Sequence, residues 1–489
     1  MVKILSGDQV KEMDSAHVRL MRISSLELME EAALGFVAWF KDNFSSEELL
    51  ISIFCGSGNN GGDGFAIARL LYKHGYRVTV FKCFEDGASL SQDAAKNLML
   101  LSQGILIKSW KDFNPNNKTI LLDAFLGVGF KGVLRPEAEL IITKINSSGA
   151  KIIAVDIPSG LPADGILEGN CVRANSTVTF AFPKLALLFP EHAAFVGDMV
   201  LVDIGFQDEE YVPFDSTFYF LRKEDVSAFH LQFHRFSHKG NFGKVLLIAG
   251  SKGKMGAAVL CSKSALRTGS GLVSCKVNAD ERFILQTSVP EVMCRCEDQV
   301  DYSEFDAIGI GPGWGIEGRS AELEDLFEQY SKPLVLDADA ITLISLNPEL
   351  ISKIPKGSIL TPHLGEFERL LGKCSNHLDR LKKAREFCVK FGLGMVIKGA
   401  NSVICLPDGR QIFNSSGTSY MATGGSGDVL TGMITSFLGQ SYSPEQAMIC
   451  GVFHHGLAGE LAGKKKRRGT LASDILEAIP ETYIELNVI

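Results

Sequence analysis

Two successive series of short apolar runs, most of them closed by a glycine-rich loop, constrain this chain more than any other feature. In the first series LLISIFC (49–55) leads into GSGNNGGDG (56–64). FAIARLLYKHG (65–75) follows with apolar positions at helical spacing and a closing glycine, and YRVTVF (76–81) returns as a strand. That is one strand–helix–strand unit with parallel strands. TILLDAF (119–125), KIIAVDIPSG (151–160), STVTFAF (176–182) and DMVLVDIGF (198–206) continue the series. Runs this apolar suit strands buried on both faces of a parallel sheet. Residues 207–235 break the rhythm, polar and aromatic by turns with no glycine loop, which places a domain boundary near 210–220. The pattern restarts at GKVLLIAG (243–250), with the loop SKGKMG, a helix over 257–269 and a strand over 272–277. DAIGIG (306–311), KPLVLDAD (332–339), GSILTP (357–362) and MVIKG (395–399) are further strands. SVICLPDGRQIF (402–413) predicts a hairpin around Pro-Asp-Gly, and a helix is expected from near Ser426. Both halves read as α/β, with ligand-binding loops at the C-terminal ends of the strands.

A length of 489 residues predicts two or three cores, and a 46% hydrophobic content is enough to pack them. The net charge of -8 disfavours nucleic-acid binding, which leaves a basic footprint. KKKRR (464–468) is the one strong basic run, and a solvated loop is the expectation for it. Eleven scattered cysteines without a C-x-x-C fit free thiols in a reducing, cytoplasmic setting rather than zinc or disulfides. The N-terminus reaches an acid by Asp8 and does not read as a signal peptide, and no run of apolar residues is long enough for a membrane span.

In the first half, Gly56, Gly58 and Gly61 satisfy G-x-G-x-x-G between a strand and a helix, with Glu85 after the next strand. A dinucleotide fingerprint and a plain tight turn both fit that spacing. Asp63 counts against the usual version, because a carboxylate repels a phosphate. Asn59 and Asn60 add side-chain carbonyls able to bind a cation or a polar ligand. Asp123 and Asp156 also stand at strand ends, ahead of FLGVGFKG (125–132) and at the start of DIPSG (156–160). Singly such aspartates are often caps or turn formers. Here three loops converge on one sheet rim, so Asn60, Asp123 and the backbone near Ser159 are a candidate oxygen cage for a hard cation.

In the second half, ATGGSGDVLTG (422–432) aims the free N–H groups and dipole of a helix start at one point, which suits a phosphoryl group gaining charge. Asp428 in the first turn is placed to take a proton from an attacking hydroxyl. The dipole is expected to lower its proton affinity. No G-K-[ST] follows, so this is not a Walker A loop. His363 in TPHLGEFERLLG either binds substrate or caps its helix. Lys398 in KGANSVI either meets a nucleotide phosphate or is a surface lysine. GIGPGWG (309–315) is another strand-end glycine loop.

GSGNNGGDG, the Asp123 loop, VDIPSGL and LMEEAA (28–33) resemble the NAD(P)H-hydrate epimerase family over roughly residues 1–210. The resemblance implies a Rossmann-like three-layer sandwich over 1–215 that interconverts the R and S hydrates, NADHX and NADPHX. It implies a potassium ion on Asn60, Asp123 and Ser159. The hydrate would be contacted by Asn59, Asn60, Gly61, Gly62 and Asp63, by Gly127, Val128, Gly129, Phe130, Lys131, Gly132 and Val133, and by Asp156, the candidate acid/base. GSKGKMGAA (250–258), GPG, TPHLGE, KGANS, ATGGSGD and RGTLASDI (468–475) resemble the ribokinase-like NAD(P)H-hydrate dehydratases over 220–489. That likeness implies phosphorylation of the S-hydrate's ring hydroxyl from ADP, with Mg2+, then loss of phosphate to leave NAD(P)H and AMP. Ala257, Gly313, His363 and Asp428 would contact the hydrate; Lys398, Gly399, Ala400, Asn401, Ser402 and Gly427 would contact the nucleotide. A homo-oligomer without membrane or nucleic-acid partners is expected. The competing readings are a vitamin or sugar kinase fused to a nicotinamide-dependent dehydrogenase, and a first domain that only binds or scaffolds.

Overall fold

The computed structural model describes residues 1–45, 49–232, 234–297 and 299–488; Phe233, within the stretch where the sequence rhythm breaks, lies outside them. Two compact units divide the chain, Val2–Phe218 and Tyr219–Ser375 with the residues from Asp379 onward.

The first unit opens with α1 (Gly7–Met21) and α2 (Ser25–Asn43), each started by a capping box, Ser6 with Gln9 and Ser24 with Glu27. Its strands are β1 (Leu50–Cys55), β2 (Arg77–Lys82), β3 (Leu106–Ser109), β4 (Thr119–Ala124), β5 (Lys151–Val155), β6 (Ser176–Phe180) and β7 (Asp198–Val202). They lie in the order β3-β2-β1-β4-β5-β6-β7, all parallel. Strand order reverses between β1 and β4, where Leu50 is level with Thr119 and Cys55 with Ala124. Such a switch point leaves a crevice at the strand C-termini.

The helix expected from Phe65 starts instead at Asn59, as α3 (Asn59–Lys73), so NNGGDG forms its first turns. The glycines there serve close backbone packing: a Cβ on Gly61 would sit 1.9 Å from the Gly56 carbonyl oxygen. Gly75, expected to close the helix, follows the capping residue His74 with φ of +86°.

In the second unit the strands are β8 (Lys244–Ile248), β9 (Leu272–Lys276), β10 (Met293–Arg295), β11 (Ala307–Ile310), β12 (Leu334–Leu336), β13 (Ile359–Leu360), β14 (Gly394–Ile397), β15 (Val403–Cys405) and β16 (Gln411–Phe413). From β10 the order runs β9, β8, β11, β12, β13, β14, β15, β16. Pairing is parallel as far as β14, and β14, β15 and β16 are antiparallel, which includes the expected hairpin. A second reversal falls between β8 and β11. Over this sheet pack α4 (Met255–Arg267) and α6 (Ser426–Gly439), the latter buried throughout from Val429 to Gly439. α5 (Leu364–Leu371) follows β13, and α7 (Pro444–Lys466) follows α6. The basic run expected as a loop forms the exposed end of α7 and the 3-10 turn Arg467–Gly469. All eleven cysteines are free thiols. Among the described residues no helix is long and apolar enough to cross a membrane.

Candidate functional site

At the switch point of the first sheet lies a cavity of 1170 Å3. Asn59, Asn60, Asp63, Gly127, Val128, Gly129, Phe130, Lys131, Val133 and Asp156 line it, so the start of α3 and the loops after β4 and β5 meet there. Gly61, Gly62 and Gly132 are not among its lining residues. Asp123 and Ser159 are fully buried and adjoin the cavity through Leu126. Leu126 N donates to Ser159 Oγ at 2.7 Å, and Asn60 Nδ2 donates to the Leu126 carbonyl at 3.0 Å. Ser159 donates twice to Asp123, through Oγ at 2.6 Å and N at 2.8 Å. Burial nevertheless pushes the Asp123 carboxyl up to about 6.

Among the described residues, the buried Asn60 Oδ1 has no hydrogen-bond partner. A buried carbonyl oxygen left unpaired costs about 1–3 kcal/mol, so a cation beside it would relieve that cost. The oxygens of Asn60, Asp123 and Ser159 therefore fit a hard cation. Among the described residues no group of three or more His, Cys, Asp or Glu is placed to hold a metal ion.

Asp156 has φ of +66°, a left-handed conformation that is strained for a non-glycine residue. Its Oδ1 accepts from Lys184 Nζ, from Thr179 Oγ1 at 3.1 Å and from Phe180 N at 3.2 Å. Lys184 is only 2% exposed. It donates also to Thr179 Oγ1 at 3.0 Å and to the Phe180 carbonyl at 3.1 Å. Desolvation, with Asp156 and Asp14 nearby, holds Asp63 well above the usual carboxylate range, and desolvation raises Asp14 to about 6. Asp63, pushed by burial toward its protonated form, and an ion-paired Asp156 line the same cavity, two carboxyl groups placed for proton transfer. Sequence inspection missed Asp14 and Lys184. FPK directly after a strand was a faint signal for Lys184; nothing around Asp14 marked it.

In the second unit β12, β13 and β14 end side by side and bring Asp337, His363 and Lys398 to one rim. Lys398 Nζ donates to Asp337 Oδ1 at 2.7 Å, and Thr431 Oγ1 donates to Asp337 Oδ2 at 2.7 Å. Gly425 caps α6 with φ of +89°, and a Cβ on Gly427 would lie 3.2 Å from Lys398 Nζ. The free amides of α6 thus point beside an ammonium, a setting suited to a phosphoryl group. Asp428 departs from expectation. Desolvation and the nearby Asp337 raise its carboxyl to about 6, outweighing the helix dipole.

Gly313 and Ala257 meet, since a Cβ on Gly313 would lie 2.9 Å from Ala257 Cβ. Ser402 Oγ donates to the Gly399 carbonyl at 3.1 Å and accepts from Gly399 N at 3.3 Å, closing the 399–402 turn in which Ala400 and Asn401 stand. His363 caps α5: its Nδ1 accepts from Gly365 N at 3.0 Å while its side chain stays 56% exposed. Asp337, Thr431 and His455 were not singled out from sequence, although the two acids ending LVLDAD repeat the strand-end pattern.

A family model described as NAD(P)H-hydrate dehydratase matches residues 245–481, and one described as YjeF-related protein N-terminus matches residues 25–186. The bifunctional NAD(P)H-hydrate repair enzyme of Moorella thermoacetica is 33% identical over 98% of this chain and 96% of its own. The Escherichia coli enzyme of that name is 33% identical over 87% of this chain and 84% of its own. Among solved structures, the Bacillus subtilis ADP/ATP-dependent NAD(P)H-hydrate dehydratase, co-crystallised with ATP and Mg2+, is 30% identical over 55% of this chain and 98% of its own, with a TM-score of 0.49. Matched at this identity along almost its whole length, the chain belongs to the family of bifunctional NAD(P)H-hydrate repair enzymes.

Proposed function

We propose that residues 1–215 interconvert R- and S-NAD(P)HX and that residues 220–489 dehydrate the S form at the expense of ADP. The observation that carries the reading is a full-length family match over a chain with two chemically equipped strand-end sites. The hydrated carbon bears a hydroxyl next to the ring nitrogen. In the second unit Asp428 accepts the hydroxyl proton as that oxygen attacks the terminal phosphorus of ADP, and the bond to AMP breaks. Phosphate is a better leaving group than hydroxide. The ring nitrogen pushes it out, and loss of a proton from the adjacent carbon restores the double bond. NAD(P)HX and ADP thus give NAD(P)H, AMP and phosphate.

Lys398 and the amides of α6 would steady the moving phosphoryl group, and Lys398 to Ser402 with Gly427 would hold the nucleotide. Ala257, Gly313 and His363 would position the hydrate. Mg2+ would neutralise phosphate charge, with Asp337 and Asp339, the carboxylates whose charge acts on Asp428, the acids available to it. In the first unit Asp156 would take the hydroxyl proton as the bond from that carbon to the ring nitrogen breaks to leave an aldehyde. Asp63 would protonate the freed nitrogen, and reclosure on the other face with the protons returned gives the epimer. Potassium on Asn60, Asp123 and Ser159 would supply fixed positive charge that ties the strand-end loops together. Free thiols throughout suit a reducing compartment such as the cytoplasm.

Stoichiometry tests the reading: pure S-NADHX and ADP should give one AMP and one phosphate per NADH. NADH formed without nucleotide consumption would refute it.

A further inference from the structure

At the head of α6 stands a hydroxyl with a partner that the proposed chemistry leaves unused. Ser426 Oγ lies 3.2 Å from His455 Nε2, which is carried by α7. Ser426 precedes Gly427 and Asp428, so its hydroxyl belongs to the same helix turn as the amides facing Lys398. α7 also fixes the loop leading from β16 toward that turn. Ser416 Oγ donates to the Phe453 carbonyl at 2.8 Å, and Gly417 N donates to Glu460 Oε1 at 2.7 Å. Desolvation holds the His455 imidazole down at about 4, so it is neutral at working pH and carries one ring proton.

We infer that His455 is a positioning residue for the dehydratase reaction: its Nε2–H donates to Ser426 Oγ, which leaves the serine proton free to donate to the phosphoryl group in transfer. The inference rests on the dehydratase reading. A serine hydroxyl can accept one hydrogen bond while donating another, which is what a site binding a growing negative charge requires. A neutral imidazole does this without adding a cation that would compete with Lys398 for the phosphate. The half-buried imidazole meets Ser426 through both its hydroxyl and its main chain, so one residue at the helix head engages this histidine.

A double-mutant cycle on the full chain tests this, with kcat for S-NADHX, KM for ADP and the unfolding midpoint read for each variant. Ser426→Ala should lower kcat about 10–100-fold, the range for losing one preorganised donor or somewhat less. His455→Leu should lower it by a similar or smaller factor. Ser426→Ala/His455→Leu should be no slower than Ser426→Ala alone, because the histidine acts through the serine. His455→Gln, whose amide can still donate, should recover most of the kcat lost in His455→Leu at an unchanged KM for ADP. Multiplicative losses in the double variant, or a Gln variant as slow as Leu despite an equal unfolding midpoint, would overturn the inference. So would a His455→Leu enzyme with wild-type kcat. A wild-type chain that fails to dehydrate S-NADHX would overturn the dehydratase reading itself, a result distinct from any of these.

Discussion

Lys398 Nζ reaches Asp337 Oδ1 at 2.7 Å while Thr431 holds the other carboxylate oxygen, so the ammonium beside α6 is fixed from behind by a carboxylate that is 1% exposed. The pair ties β12, β14 and α6 together where the nucleotide is proposed to bind.

Asp337→Asn keeps the shape but leaves Lys398 without its anion. Hydrogen bonds to charged groups contribute about 1.5–3 kcal/mol, so a loss of that order in urea unfolding is expected. KM for ADP should rise as the ammonium loses its fixed position. Unchanged stability together with unchanged KM would contradict this role.

Asp428→Asn should reduce dehydration of S-NADHX about 10²–10⁴-fold while ADP titration still reports binding. In the wild-type chain kcat for dehydration should fall as pH drops through about 6, because the raised carboxyl becomes protonated and can no longer accept. The same group makes folding less favourable as pH rises from about 4 to about 6, since the folded state holds its proton longer than the unfolded chain. A rate independent of pH between 5 and 8 would remove Asp428 as the base.

Asp123 gives a signature for potassium. Its carboxyl, raised to about 6 by burial, should be ionised at pH 7.5 and largely protonated at pH 5. Potassium should therefore raise the thermal midpoint at pH 7.5 more than at pH 5, by mass action on the folded state. Asp123→Ala should abolish that shift and slow epimerisation, while dehydration of S-NADHX persists. An equal potassium effect in the variant would place the ion elsewhere.

Lys184→Met leaves Asp156 in a left-handed conformation without its buried ammonium. Breaking a buried ion pair costs about 3–5 kcal/mol, and a destabilisation of that order is expected in denaturant unfolding. Epimerase kcat should fall with it. A variant as stable and as active as the parent would show that the pair has no structural or chemical role.

Much of the fold was legible because its central strands are buried along most of their length, and sequence marks that condition with unbroken apolar runs; the edge strands β3 and β10, exposed or half-buried, are not marked in this way. The hairpin was legible through Pro-Asp-Gly. The start of α3 was not, because glycines that look like a loop here let α3 approach the Gly56 backbone. At the candidate sites, residues at the C-terminal ends of strands stood out, as Asp123, Asp156 and Lys398 did. Partners arriving from elsewhere did not: Lys184 lies beyond the next strand, Asp14 sits in α1 and His455 in α7. Their relevance comes from tertiary packing, which no local spacing encodes. The direction of the Asp428 shift was misjudged for a related reason. The dipole is readable from a helix start, whereas desolvation and Asp337 are not.

One chain performs two reactions in series, each at its own site. The direct measurement follows NADH formation from an R/S mixture of NADHX with ADP. The wild-type chain should consume both epimers in one fast course. Asp156→Asn should convert the S fraction quickly and the rest only at the uncatalysed epimerisation rate. Asp428→Asn should form almost no NADH while still equilibrating R and S. Rapid consumption of both epimers by Asp156→Asn, or rapid NADH formation by Asp428→Asn, would contradict the account.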